Sequence, residues 1–274
     1  MTTLESNFIQ ANGLRLHYLR KPAPNKPTLL LLHGLTDAGI CWTPIIEELS
    51  GDYEIVAPDA RGHGMSDTPE TGYSAEDHAA DAAAFIQALE LNKPIVMGHS
   101  MGGMQATVLA AKHPALVRAA LFEDPAWFDA SQQPSLEMRQ QRRAEWLADM
   151  MATKALAPDA MVAKRRAADP LWSDAEFRAW CVAKQQVHPV VLEYIEHPPT
   201  DWRACVTALQ CPSLLITGDV SRGVIISPEQ AAAAQALNSN LHIAHVPGAG
   251  HSIRRDNFMG YVQAVRDFLS QVNA

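Results

Sequence analysis

Ser100 stands in the run Gly98-His99-Ser100-Met101-Gly102, directly after the apolar Ile95-Val96-Met97 and before a long stretch of small and apolar residues. A serine hydroxyl displayed where a strand turns into a helix can attack a carbonyl carbon, provided a base takes its proton. So tight a turn strains the backbone of its central residue, and the glycines two positions to either side leave room where the chain crowds itself. The spacing is that of a nucleophile elbow. The helix N-terminus beneath the serine adds free N–H groups and a dipole that favour developing negative charge.

The best base is His251, in "VPGAGHSIRRD", a glycine-bounded loop after the last apolar run and able to reach across to Ser100. An oxyanion then needs two preorganised donors. One is expected to be the N–H of Met101, the other the N–H of Leu35 in "LLHGLTD", with Gly34 letting the backbone approach the site. His33 and His99 are read as hydrogen-bonding and packing histidines, not catalytic ones.

These residues need a rigid scaffold, and the chain supplies one. "NFIQANGLRLHYLR" is expected to form a hairpin turning at Asn12-Gly13. "TLLLLHG", "YEIVAPD", "KPIVMGH" and "VRAALFED" are short apolar strands separated by helical stretches, one of them capped by Ser74 with Asp77 three residues on. Continuous apolar strands alternating with helices predict a parallel sheet covered on both faces. From Trp127 to Ala208 no strand-like run occurs, only helical stretches broken by prolines. The alternation then returns with "CPSLLITGD", a helix from Pro228 to Leu237, "LHIAHVPG" and a last helix from about Asp256 to Val272. The expected organisation is a core of residues 1–126 and 209–274 with a helical cap, 127–208, over the carboxyl ends of the strands, where such sheets bind ligands.

The formal charge of −8 argues against nucleic acid or an anionic membrane as partner. Two basic clusters, Arg139/Arg142/Arg143 and Lys164/Arg165/Arg166, read as solvated helix faces. The N-terminus lacks the basic start and apolar core of a signal peptide, and no apolar run is long enough to span a bilayer. Cys41, Cys181, Cys205 and Cys211 have neither C-x-x-C spacing nor disulfide density. A cytoplasmic protein with reduced thiols is expected. No metal and no cofactor are expected, since the histidines are scattered and form no H-E-x-x-H pair.

"LLHG", "DARGHGMSD", "GHSMGG" and the late "GAGH" stand together in one order. With them the chain resembles the α/β-hydrolase superfamily, of the serine esterase and lactonase type, over nearly its full length. The resemblance implies a mostly parallel eight-stranded sheet flanked by helices, with a helical cap inserted after the sixth strand. It gives Arg61 and His63, within "DARGHGMSD", a structural role.

In most of the family the acid of the triad lies after the seventh strand. Counting through "TGDVSRGVIISPE" puts Ser221 or Gly223 there, neither able to hold a histidine, with Asp219 nearby as a fallback. An acid at the end of the sixth strand, as in haloalkane dehalogenases and zearalenone lactonases, is the alternative. Here "VRAALFEDPAW" offers Glu123 and Asp124. Neighbours in a strand point to opposite faces, so one of the pair faces His251. Counting along the strand favours Asp124, and Glu123 is the lesser fallback. The expected substrate is a small carboxylic ester or lactone with an apolar body, touched by Trp127 and Phe128. Two alternatives remain: carbon–carbon bond hydrolysis of aromatic ring-cleavage products, and a ligand-binding receptor of the same fold. A serine at the elbow disfavours the chemistry of relatives with an aspartate nucleophile. Nothing in the sequence names a protein partner.

Overall fold

The computed structural model describes residues 3–129 and 134–273. Its strands are β1 (Glu5–Ala11), β2 (Leu14–Lys21), β3 (Thr28–Leu32), β4 (Glu54–Pro58), β5 (Ile95–His99), β6 (Ala119–Glu123), β7 (Ser213–Thr217) and β8 (Leu241–His245). They form one sheet in the order β1-β2-β4-β3-β5-β6-β7-β8. The hairpin β1–β2 turns at Asn12 and Gly13, both with positive φ, as a two-residue turn matched to strand twist requires. β2 pairs antiparallel with β4, and every pairing from β4 through β3 to β8 is parallel.

Helices α1 (Thr43–Leu49), α2 (Ala75–Ala88), α3 (Met101–Lys112), α8 (Pro228–Leu237), α9 (Ile253–Asp256) and α10 (Phe258–Asn273) flank the sheet, while α4 (Leu136–Lys154), α5 (Pro158–Ala168), α6 (Asp174–Gln186) and α7 (Trp202–Thr207) lie between β6 and β7. Alternate strand residues feed two cores. Leu30, Leu32, Val96, Phe122 and Leu215 pack toward α2 and α3, and Leu29, Leu31, Ile95, Met97 and Leu121 toward α1 and α10. This period of two is why the central strands read as unbroken apolar runs. The Ser74–Asp77 capping box starts α2 as the sequence predicts.

Both ends of the 127–208 stretch pack into the sheet-side core. Trp127 stacks on Trp202 at 5.2 Å between ring centroids, and Cys205 and Val206 join them. Between those ends, α4 to α6 form clusters of their own, such as Met161, Trp172, Phe177 and Trp180. The four cysteines are free and buried. Burial pushes the Cys41 thiol up to about 12 and the Cys205 thiol up to about 11. Among the described residues no helix is long and apolar enough to cross a membrane.

Candidate active site

Ser100 joins β5 to α3 with φ 54 and ψ −114, a conformation that costs a non-glycine residue about 1–3 kcal/mol. The surroundings hold it there. Its N–H donates to Glu123 O at 3.0 Å, and its carbonyl accepts from the amides of Met104 and Ala126. The flanking glycines are required by close approach: a Cβ on Gly98 would lie 2.0 Å from Gly102 O, and one on Gly102 2.2 Å from Leu32 O.

His251 Nε2 lies 3.1 Å from Ser100 Oγ, and its Nδ1 lies 2.6 Å from Asp124 Oδ2. An ionised carboxylate only accepts, so Nδ1 carries hydrogen and Nε2 is left to accept the serine proton. Asp124 is fully buried and has a positive φ of 36. Its carboxylate also accepts from the amides of Ile225, at 2.9 and 3.1 Å, and Ile226, at 2.9 Å. Of the three acids considered, the structure brings Asp124 alone to His251.

The other two have different partners. Glu123 points to the opposite face of β6, as strand alternation dictates. There it accepts from Arg254 N at 2.9 Å and Arg254 Nη1 at 3.0 Å, on α9. Asp219 bonds His245 Nε2 at 3.0 Å and Gly248 N at 2.8 Å, at the rim of β7 and β8.

Leu35 and Met101 both line the cavity at Ser100. Met101 is the first residue of α3, so its N–H has no acceptor within the helix. Gly34 packs so closely that a Cβ there would meet His99 Nδ1 at 2.8 Å and Ser100 Cβ at 3.3 Å. Behind this loop, His33 Nε2 accepts from Ala60 N and His63 Nε2 from Thr36 N. Arg61 grips Asp81 with two 2.6 Å bonds. Burial pushes both histidines below the usual imidazole range, so they stay neutral. These are structural roles, as the sequence reading assigned. His99 does more than pack: its Nε2 donates to His251 O at 2.9 Å, and the two rings lie 4.8 Å apart.

The candidate nucleophile opens on two cavity lobes of about 500 and 590 Å³, which share Leu35, Ser100, Trp146 and His251. Each is large enough for a small organic ligand. Phe128, expected to touch substrate, lines the larger lobe. Trp127 does not line either lobe. It is buried against Phe122 and Trp202, with Nε1 donating to Thr107 Oγ1 at 2.9 Å, so its expected substrate contact is replaced by core packing.

The basic clusters differ from expectation only in part. Arg139 and Arg142 line the larger lobe and Arg165 the smaller one. Arg139 donates to the backbone carbonyls of Glu196 and Pro134, and among the described residues neither Arg139 nor Arg142 has a carboxylate partner. Arg165 lies over the rings of Trp172 and Trp180. Arg142 is nevertheless exposed, and Arg143, Lys164, Arg165 and Arg166 are paired with Glu196, Asp149, Asp169 and Asp174. The reason for the difference is the direction of α4: Arg139, Arg142, Trp146 and Met150 recur at helical spacing on one face, and that face covers the site. That spacing was the signal available in the sequence.

A buried ion network beneath the smaller lobe escaped the sequence reading. Asp37 accepts from Arg255 at 3.0 Å and Lys184 at 3.4 Å, and Arg255 also reaches Glu176 at 2.9 Å. Burial alone would raise the Asp37 carboxyl, but Arg255, Lys184 and Arg254 outweigh it and hold it far below the usual range. The "IRRD" run beside His251 was its only local sign. No grouping of three or more His, Cys, Asp or Glu able to hold a metal occurs among the described residues.

Residues 27–203 match the alpha/beta hydrolase fold family. An N-formylmaleamate deformylase from Pseudomonas putida is 31% identical over 275 residues, spanning 98% of this chain and 97% of the relative. A 2-(acetamidomethylene)succinate hydrolase from Mesorhizobium japonicum is 36% identical over 130 residues, 47% of each chain. The solved structure of an E-2-(acetamidomethylene)succinate hydrolase superposes with a TM-score of 0.81 at 24% identity, covering 98% of this chain and 100% of that one. The family match, the full-length relative and the shared fold agree: this chain belongs to the alpha/beta hydrolase fold family and is a hydrolase.

Proposed function

We propose that the chain is a serine acyl hydrolase. Ser100 is the nucleophile, His251 the general base and then acid, and Asp124 the group that fixes the imidazole tautomer and stabilises the imidazolium. The observation that carries this reading is the unbroken relay from Asp124 through His251 to Ser100 Oγ, at 2.6 and 3.1 Å, ending where two lobes meet. His251 Nε2 takes the Ser100 proton as Oγ attacks the carbonyl carbon. The tetrahedral oxyanion rests on the amides of Leu35 and Met101, the leaving group takes the proton, and water cleaves the acyl-enzyme by the reverse sequence.

The same steps serve esters, lactones and activated amides. For the substrate we infer a small acyl compound carrying a carboxylate; the sequence reading expects an ester or lactone with an apolar body, and analogy with the relatives adds the carboxylate and an N-acyl group. Both relatives are named for substrates that combine carboxylates with an N-acyl group. Arg139 and Arg142, without carboxylate partners among the described residues, support the same reading, because a cation facing a lobe selects an anion. Met101, Met104, Phe128 and Ile195 leave room for an apolar body. The helices α4 to α6 act as the lid that supplies this recognition.

The test is hydrolysis of matched p-nitrophenyl esters with and without a terminal carboxylate, N-formyl and N-acetyl maleamate analogues, and a vinylogous diketone, by wild type and Ser100→Ala. Burst kinetics lost in Ser100→Ala, with the carboxylated substrates preferred, are expected. Turnover that survives Ser100→Ala, or confinement of activity to the diketone, would refute the acyl-transfer reading.

A further inference from the structure

We propose that Lys184, on α6, is a positioning residue: it holds Thr36 in a strained turn and thereby keeps the Leu35 amide aimed at the reacting carbonyl oxygen. This rests on the serine acyl hydrolase reading above.

Gly34 to Asp37 form a β-turn, with Asp37 N–H donating to Gly34 O at 3.0 Å. Thr36, its third residue, has φ 68, while Leu35 is not among the positive-φ residues. That combination is a type II turn, whose third position is made for glycine or asparagine. A β-branched residue there is an outlier, and it persists only where the surroundings over-determine it.

Two side chains do so, from opposite directions. His63 Nε2 accepts the Thr36 N–H at 3.1 Å. Lys184 Nζ donates to Thr36 O at 2.8 Å and to Thr36 Oγ1 at 2.5 Å, and lies 3.4 Å from Asp37 Oδ1. Lys184 is itself set firmly, with only 16% of its side chain exposed and its ammonium 5.7 Å from the Trp180 ring. Thr36 thus has one peptide face held from the sheet side and the other from the helical segment. Without the lysine, Thr36 is free to relax to negative φ, and the turn that orients the preceding Leu35 relaxes with it. An oxyanion donor displaced in this way loses its value in the transition state while ground-state binding is largely kept.

Lys184 also lines the smaller lobe, so a direct contact with substrate is the competing explanation. A double-mutant cycle with Thr36→Gly separates the two, because glycine occupies the turn without strain. The readout is the rate of Ser100 phosphonylation by an uncharged alkyl fluorophosphonate, together with melting temperature. Lys184→Met is expected to label about tenfold more slowly than wild type, as a misaimed donor requires. Lys184→Arg is expected to recover part of that loss. In the Thr36→Gly background, Lys184→Met is expected to cost little.

Labelling of Lys184→Met at the wild-type rate would overturn the proposal. So would an equal cost in both backgrounds, which would make Lys184 a substrate contact. If Lys184→Met does not fold, Lys184→Gln takes its place, and failure of both to fold would make the lysine part of the fold instead. Absence of labelling in wild type would instead refute the serine hydrolase reading.

Discussion

The buried carboxylate of Asp124 accepts the amide hydrogen of Ile226 at 2.9 Å, and so joins the end of β6 to the loop after β7. With the two Ile225 contacts, the acid is held by main-chain donors on one side and by His251 on the other. Hydrogen bonds to an ionised acceptor are short and strong, so the carboxylate is fixed before substrate arrives. The loop after β7 thus supplies the donors to an acid that stands at the end of β6.

Three acid variants should therefore separate cleanly. Asp124→Asn is expected to lower kcat by about 10³–10⁴, because the wrong imidazole tautomer is then favoured. Asp219→Asn, at a partly exposed side chain away from His251, should stay within about twofold of wild type. Glu123→Gln removes the nearer of the two carboxylates paired with buried Arg254, the other being Asp37 at 3.7 Å, and should cost about 3 kcal/mol of stability. Steady-state kinetics and urea unfolding of the three read this out. Loss of turnover in Asp219→Asn comparable to that in Asp124→Asn would reverse the assignment.

Gly102→Ala tests the turn itself. The added methyl would lie 2.2 Å from Leu32 O, which is backbone and has no room to move. Destabilisation of about 2–4 kcal/mol is expected, with loss of activity in whatever fraction folds. A wild-type melting temperature for this variant would show that the β5–α3 junction is looser than its distances imply.

Low pH should unfold the protein early. His78 is buried between Tyr73 and Tyr194, with neither ring nitrogen hydrogen-bonded among the described residues. Burial, aided by the Arg61 charge, pushes it down to about 3. His33, His63 and His99 shift the same way for the same main reason. A histidine neutral in the fold but free to protonate when unfolded contributes its full stability above about pH 6.5. That contribution falls by about 1.4 kcal/mol per pH unit below it, until the folded group itself titrates. His78→Leu should flatten the stability profile between pH 6 and pH 4 by about that slope. An unchanged profile from urea melts at pH 7, 6, 5 and 4 would exclude this cause.

Two tryptophans near the site should behave oppositely. Trp127→Ala removes a core ring and is expected to cost about 3–5 kcal/mol with little change in KM for the folded fraction. Trp146→Ala, on a half-exposed side chain shared by both lobes, should leave stability within about 1 kcal/mol and change kcat/KM. Arg142→Ala should raise KM about tenfold for carboxylated substrates and leave their neutral analogues unaffected. Equal effects on charged and neutral substrates would remove Arg142 from recognition.

Much of the scaffold was legible because strands buried on both faces must be apolar throughout, and because a serine between two close-packed glycines has few structural explanations. Strand alternation sent Glu123 and Asp124 to opposite faces, but the count from Val117 that favoured Asp124 rested on the resemblance to proteins with an acid after the sixth strand. The recognition surface was not legible. Which face of α4 covers the site depends on how the helix docks, and the Lys184–Thr36 contact joins residues 148 positions apart. Trp127 misled by adjacency: three residues past Asp124, it lies over α3, where Thr107 takes its N–H.

The burial of all four thiols has a practical consequence. Their raised thiol pKa values and lack of exposure leave the native surface without a competing thiol for maleimide chemistry. A cysteine placed at the half-exposed Met151, on the outer side of α4, becomes the single attachment point for a fluorophore. The molecule is thus ready, without further engineering, for direct observation of whether that helix swings when a substrate enters.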